Sequence, residues 1–352
     1  MKNPLVILIF LAGCPLFVML FGIKSTLNTG LEEPINQLVD MSSDQKPKPK
    51  PNRINLHPSN LTVINLEQFQ FLLNQDVCAT SPISLLLLVK SATKNRLKRE
   101  AIRSSWGRTQ IPRESVVIVF LLGRPGDSSQ QMAIKEEAEK YGDIVQGDFI
   151  DTYHALQYKS VMGLVWASTF CPQAEFVMKG DDDMFIDVFE LLVLSRLKIK
   201  NQSRDYFLLC YVISHGSILY PPYRFQGGSV YPPYCSGWMY VTTPATAKRL
   251  ANEAQGPSSL WVDDAWITGF LAKKLGIKHM ELNIYRTSER DNGKAMINAK
   301  SRQSPAKYHK DYVWGRMFTN ISVFNSLQKK AHWCFLSKCQ NNIYGGDMEE
   351  RL

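Results

Sequence analysis

Phe176-Val177-Met178-Lys179-Gly180-Asp181-Asp182-Asp183-Met184-Phe185-Ile186-Asp187 is the stretch on which the reading of this chain turns. Its apolar start, Phe176 to Met178, predicts a short buried strand. Three consecutive aspartates end it, and apolar Met184, Phe185 and Ile186 follow at once. Carboxylates so close repel one another, and desolvating them is costly unless a cation compensates. Hard divalent ions such as Mg²⁺ or Mn²⁺ take carboxylate oxygens. Ligands of α/β sheets bind beyond the carboxyl ends of strands, where these aspartates fall. An acidic surface turn helped by Gly180 is the plainer alternative.

Upstream, strand and helix patterns alternate from about Pro82. Ile83 to Val89 reads as a buried strand, Arg96 to Trp106 as a basic helix, and Val116 to Leu122 as a second strand. A charged helix follows over Ser129 to Tyr141, then a short strand at Ile144-Val145 and a long helix over Tyr153 to Phe170. This order predicts a mainly parallel sheet covered on both faces. No Walker loop and no G-x-G-x-x-G is present, which removes the main support for a P-loop kinase or a dehydrogenase.

Downstream, Val188 to Leu197 reads as a helix and Tyr206 to Val212 as a strand. Tyr220-Pro221-Pro222-Tyr223 and Tyr231-Pro232-Pro233-Tyr234 frame a segment rich in Gly, Pro and Tyr, either a structural loop or an aromatic platform for sugar C–H faces. Cys235 to Tyr240 leads into a strand, and Pro244 opens a helix as a first-turn residue. A second acidic site, Trp261-Val262-Asp263-Asp264-Ala265-Trp266, precedes an apolar-periodic run. Helix capping explains one of its aspartates. Two between tryptophans also suit a general base in a partly desolvated pocket.

The chain has 352 residues, enough for one large domain or two small ones, with 45% hydrophobic and 21% charged residues. Its net charge is +9. No basic tract with interleaved aromatics accompanies that charge, which argues against nucleic-acid binding and leaves nucleotide phosphates or a membrane surface. Leu5 to Ile23 is nearly all apolar, uncharged and flanked by Lys2 and Lys24. It is long for a signal-peptide core, and the residues after Cys14 stay apolar where a lipoprotein would turn polar. An uncleaved anchor is the expectation, with residues 1–4 as a short tail and 24–77 as a stem. Lys46-Pro47-Lys48-Pro49-Lys50-Pro51 within that stem is a polyproline-like spacer. Glycosylation triplets begin at Asn60, Asn201 and Asn320. Cys78, Cys171, Cys210, Cys235, Cys334 and Cys339 lie beyond the anchor without C-x-x-C spacing, which suits disulfides in an oxidising lumen, with the pairing open. These features predict a single-pass protein with its carboxyl-terminal part luminal.

Several blocks, in order, resemble one family. Arg99-Glu100-Ala101-Ile102-Arg103-Ser104-Ser105-Trp106-Gly107 is similar to its R-x-A-I-R-x-T-W-G motif. Asp148-Phe149-Ile150-Asp151-Thr152-Tyr153, with Leu156 and Lys159, resembles a second block, and Phe170 to Lys179 runs into the D-x-D site as in the family. Tyr231 to Gly237, then Val262-Asp263-Asp264 with Gly269 and Leu275-Gly276-Ile277, complete the set. The chain therefore resembles the β-1,3-galactosyltransferase and β-1,3-N-acetylglucosaminyltransferase family, glycosyltransferase family 31, over roughly residues 78 to 318.

The resemblance implies a GT-A fold, with a catalytic domain over 78–340 and a tail over 341–352. It also implies a type II Golgi membrane protein, Mn²⁺, a UDP-galactose or UDP-N-acetylglucosamine donor and a glycan acceptor. The reaction would be inverting transfer of a hexose to a sugar 3-hydroxyl. By motif match, Asp183 and Asp181 hold the metal, and Asp181 and Asp182 lie near the nucleotide. Asp264 is the base, with Asp263 as runner-up. Arg103 and Arg99 face the nucleotide unless they are solvated helix charge, and Trp106 and Lys159 are pocket positions. Ser301 stands where many members carry histidine, with His309 a distant substitute, and Met239 stands at a usual glycine. Those departures motivate a rival reading, a catalytically silent luminal binding protein. Phe170 to Met178 resembles the galactosyl branch, whereas Lys179 to Asp183 resembles the N-acetylglucosaminyl branch.

Overall fold

The computed structural model describes residues 62–65, 70–79, 82–200, 206–214, 231–258, 260, 262–282, 314–316 and 321–336. All belong to the unit His57–Leu352. The anchor 5–23, the Lys-Pro spacer, the three glycosylation asparagines Asn60, Asn201 and Asn320, Tyr220 to Tyr223, Trp261, Ser301 and His309 lie outside them. Among the described residues no helix is long and apolar enough to cross a membrane.

The strands in chain order are β1 (Thr62–Ile64), β2 (Phe71–Leu73), β3 (Leu85–Lys90), β4 (Val116–Arg124), β5 (Ile144–Ile150), β6 (Phe176–Asp181), β7 (Met184–Ile186), β8 (Phe207–Ile213), β9 (Tyr234–Thr242), β10 (Gly256–Ser258), β11 (Lys278–Glu281) and β12 (Trp314–Arg316). One eight-stranded sheet runs β11-β8-β9-β6-β3-β4-β5-β2. Its centre, β6-β3-β4-β5, is parallel, as the alternating pattern predicts. One strand on each flank runs the other way. β9 runs antiparallel to β6 and to β8, and β2 runs antiparallel to β5. A parallel neighbour needs a crossover, usually a helix, and the Gly-, Pro- and Tyr-rich stretch before β9 has no helical pattern to supply one. The sheet is therefore mixed.

β3 is buried along its whole length because helices cover both faces. Leu85, Leu87 and Val89 join one core with Ile102, Trp106, Phe185 and Leu191, while Leu86 and Leu88 join another with Met162 and Trp166. Ile102 comes from α1 (Arg96–Arg103), Met162 and Trp166 from α3 (Leu156–Phe170), and Leu191 from α4 (Val188–Lys200). By the two-residue alternation of a strand, Lys90 falls on the α3 face. The parallel register places it beside Asp181.

Local chemistry explains the element ends. Between α1 and α3, α2 (Ser128–Tyr141) begins at Asp127, whose carboxylate accepts the Gln130 N–H, and stops at Gly142 with φ 64°. Thr243 caps α5 (Pro244–Glu253), and Pro244 occupies its first turn.

Several elements differ from the sequence reading. The helix expected to reach Trp106 stops at Arg103, and Trp106–Arg108 is a separate 3₁₀ turn. β6 runs on through Asp181 because Lys179 and Gly180 are buried in it rather than ending it. β2 lies inside the span read as stem, where its short apolar run covers the edge of β5, so the sheet begins before residue 78. The run after Asp264 forms a π-helix, Ala265–Leu271, instead of an α-helix. A helix over Ile321–Leu336 packs Phe324, Leu327 and Ala331 into the core. Disulfides join Cys78 to Cys171 and Cys210 to Cys235.

Candidate active site

The site is built where β3 and β6 end side by side. Asp181 is the last residue of β6, and its carboxylate lies 3.4 Å from the Lys90 Nζ, with 33% of the side chain exposed. Asp182 turns inward. Its oxygens accept from Ser91 Oγ at 2.8 Å, Asn95 Nδ2 at 2.8 Å and Lys98 Nζ at 3.0 Å. Those donors belong to the turn after β3 and the start of α1, so Asp182 fastens the aspartate turn to the protein instead of facing a ligand. Asp183 stands partly exposed beside β7.

The second acidic pair lies on the opposite wall, before the π-helix. Asp263 is buried, and its Oδ2 receives Lys90 Nζ at 2.9 Å and the Ser160 hydroxyl, with Lys179 Nζ at 3.8 Å. Burial lifts its pKa, but the two ammonium groups and the hydroxyl outweigh burial and hold the carboxyl far below the ordinary range. Asp264 differs. Its Oδ2 accepts the Gly237 N–H at 2.9 Å and its Oδ1 accepts the Ala265 N–H at 2.9 Å. Burial and then the negative charge of Asp263 push its pKa up to about 6, against the weaker pull of Lys179 and Lys90. A carboxylate poised near neutrality, held by backbone and partly open to solvent, has the properties of a general base. Asp263, already neutralised by two lysines, does not.

Gly237 makes that geometry possible. A Cβ there would stand 3.0 Å from the Asp264 Oδ2, closer than ordinary packing allows. Lys179 donates to the Gly237 carbonyl oxygen at 3.2 Å and lies over the Tyr240 ring at 5.6 Å. Burial, then the charge of Lys90, lowers the Lys179 pKa to about 8.

Four further residues expected at the site are engaged by protein partners around it. Arg99 is fully buried and gives two hydrogen bonds to Glu137, at 2.8 and 2.7 Å, and others to Ser91 Oγ and the Ala92 and Thr93 carbonyls. Arg103 is buried between Glu137 and Asp143, with its guanidinium 4.8 Å over Phe120 and 4.0 Å over Tyr141. Both guanidinium groups are spent on buried carboxylates, because desolvated guanidinium groups need them, and α2 and the turn before β5 bring Glu137 and Asp143 inside. Arg99 acts on the site only through Ser91, which holds Asp182. Trp106 is buried, and its Nε1 donates to the Met184 carbonyl at 2.9 Å, pinning the return of the aspartate turn. Lys159 is spent on Asp151 at 2.7 Å and the Ser91 carbonyl at 2.6 Å. Met239 is buried in the core opposite Gly180 in register, so its bulk points into packing and not into the site.

Lys90, Lys179 and Ser160 were not foreseen. For the two lysines, their place within apolar strands was the available signal, since a buried ammonium needs a carboxylate partner, and Ser160 carried no such signal. Among the described residues no three His, Cys, Asp or Glu side chains form a metal cage. The donor set still fits an ion held jointly with substrate. Mg²⁺-like ions take one or two protein carboxylates plus phosphate oxygens, and Asp181 and Asp183 keep exposed surface.

The galactosyltransferase family model matches residues 97–283, which takes in α1, the aspartate turn and the Asp263-Asp264 pair. The chain belongs to the galactosyltransferase family. It is 32% identical to mouse beta-1,3-galactosyltransferase 1 over 222 residues, which cover 61% of this chain and 68% of the relative. Human beta-1,3-galactosyltransferase 5 is 34% identical over 213 residues, covering 58% and 68%. This galactosyltransferase-family chain is accordingly a glycosyltransferase. The solved apo WbbM bifunctional glycosyltransferase gives a TM-score of 0.39 at 9% identity, covering 72% of this chain and 52% of that one. A likeness at that level bears on neither fold nor activity.

Proposed function

We propose that this family member is a β-1,3-galactosyltransferase of GT-A type. It would transfer galactose from UDP-galactose, with inversion, to the 3-hydroxyl of an acceptor glycan on a glycoprotein or glycolipid. The observation that carries the proposal is the contrast between the adjacent aspartates. Asp263 is neutralised inside, and Asp264 is aimed, basic near neutrality and partly open. Inversion needs one direct displacement. As the acceptor oxygen bonds to the anomeric carbon and the bond to UDP breaks, Asp264 takes the hydroxyl proton. Asp183 and Asp181 would hold Mn²⁺, which supplies positive charge against the diphosphate leaving group. The apolar span 5–23, the Lys-Pro stem and the disulfides support a type II Golgi protein with a luminal enzyme.

The lysine of the aspartate block resembles the N-acetylglucosaminyl branch, but Lys179 is buried against Asp263 and Tyr240. It faces protein, so that resemblance says little about the donor, and galactose is the favoured sugar. The test incubates the chain with UDP-galactose or UDP-N-acetylglucosamine, Mn²⁺ and a panel of sugar acceptors, and reads product by mass. Transfer of galactose, lost with EDTA and in Asp264→Asn, is the expected result. Transfer of N-acetylglucosamine alone would reassign the donor. No transfer together with no Mn²⁺-dependent UDP binding would favour a silent, glycan-binding member.

A further inference from the structure

Thr268 lies in the π-helix Ala265–Leu271 and is fully buried. Its hydroxyl donates to the Asp264 carbonyl oxygen at 2.6 Å, and the Thr268 Oγ1 itself accepts the Cys235 N–H at 2.9 Å. Its one proton goes to that carbonyl and not to the Cys235 carbonyl oxygen, which is 3.5 Å away. Two residues along β9, the Gly237 N–H reaches the Asp264 carboxylate. Strand and helix are thus joined at two points, through positions 235 and 237 of β9 and positions 268 and 264 of the helix.

We propose that Thr268 is a positioning residue for sugar transfer, clamping the π-helix to β9 so that Gly237 meets the Asp264 carboxylate. The inference rests on the proposed role of Asp264 as base. A π-helix shifts hydrogen bonds from i+4 to i+5 and loosens the turn. The threonine hydroxyl restores the lost i to i+4 link at the residue that bears the catalytic carboxylate. On the strand side the clamp has a firm footing, because Cys235 is bonded to Cys210 of β8. On the far side the His279 ring, from β11, meets the Thr268 carbonyl oxygen through its Nε2 at 2.6 Å. Thr268 is therefore held by three elements, and only a β-hydroxyl both accepts from β9 and donates back along the helix. Valine keeps its shape and loses both bonds; serine keeps both bonds and loses only a methyl group.

The test compares Thr268→Val and Thr268→Ser in the full chain by two readouts. The first is a carboxyl titration of Asp264 by carbon NMR without substrate, its signal assigned through Asp264→Asn. The charged and titratable groups around that carboxyl are Asp263 beside it, Lys90 from β3, Lys179 from β6 and Tyr240 from β9, with His279 behind Thr268. All stay in place in both variants. In wild type and Thr268→Ser the carboxyl titrates near 6, and in Thr268→Val, where the Gly237 N–H no longer supports the ionised form, it moves up from that value. The second readout is turnover, which falls about tenfold to a hundredfold in Thr268→Val with the KM for donor unchanged. A folded Thr268→Val chain that titrates and turns over as wild type overturns the clamp, whatever its melting temperature. Absence of transfer in wild type would count against the proposed function, and the substrate-free titration would still decide the clamp.

Discussion

The Lys90 ammonium lies 2.9 Å from the Asp263 carboxylate and 3.4 Å from that of Asp181, so one charge joins the two acidic motifs of the chain. The parallel register of β3 and β6 brings Lys90 beside Asp181, and the seat of the π-helix on β9 brings Asp263 to the same ammonium. Burial lowers the Lys90 pKa, but Asp181 and Asp263 outweigh it and hold the group charged well above its ordinary value. A buried ion pair adds little net stability while it is intact, and breaking it is costly.

Lys90→Met leaves Asp263 with Lys179 at 3.8 Å and the Ser160 hydroxyl. An uncompensated buried carboxylate costs about 3–5 kcal/mol. Denaturant unfolding should show a loss of that order. A loss below about 1 kcal/mol would mean that Lys179 and Ser160 satisfy Asp263 alone.

Asp264→Asn should cut turnover by about 10²–10⁴-fold while UDP affinity with Mn²⁺ is kept. In wild type the base must be ionised, so turnover is high above pH 6 and falls as pH drops through about 6. Stability runs the opposite way. The folded pKa is raised from 3.8 to about 6, so the folded state binds the proton more tightly. The stability contributed by protonation is full below about pH 4 and is lost as pH rises through 6. Asparagine does not titrate, so wild type should lose about 2 kcal/mol relative to Asp264→Asn between pH 4 and 7. Melting both proteins across that range tests it, and parallel curves would remove the raised pKa.

Gly237→Ala places a Cβ 3.0 Å from the Asp264 Oδ2. The carboxylate must give way by a few tenths of an ångström, and a misplaced base costs about tenfold to a hundredfold in rate. Turnover should therefore fall much more than stability. Equal loss in Tm and rate, restored together at lower temperature, would make the effect one of folding.

The parallel centre of the fold was legible because apolar strands alternate with helices from Ile83 to Asp181, and each period matches its element. The antiparallel β9 was not, since direction depends on what lies between strands and not on the strand's own pattern. Both acidic motifs were legible as chemistry, because clustered carboxylates beside apolar runs demand a reason. Their separate duties were not. Asp182 and Asp183 are adjacent letters, and only the turn after β3, with Ser91, Asn95 and Lys98, distinguishes them. Arg99 and Arg103 misled for a related reason. A basic helix near a phosphate site looks available until α2 and the turn after it supply Glu137 and Asp143 from 34 to 40 residues away.

Those separate duties make the three aspartates a direct test of the site. Asp183→Ala removes a partly exposed carboxylate at the proposed metal position. Even groups that only support a ligand change metal affinity by about 10–100-fold, so loss of the ligand itself should take Mn²⁺-dependent UDP binding beyond that, as read by calorimetry. Asp182→Ala instead strands the Ser91, Asn95 and Lys98 donors, which costs about 1–3 kcal/mol in folding. It should leave Mn²⁺–UDP affinity within about threefold, roughly 0.65 kcal/mol at 1.4 kcal/mol per tenfold, because its oxygens already face the protein. The reverse pattern, with binding lost in Asp182→Ala and kept in Asp183→Ala, would move the metal inward and exchange the two assignments.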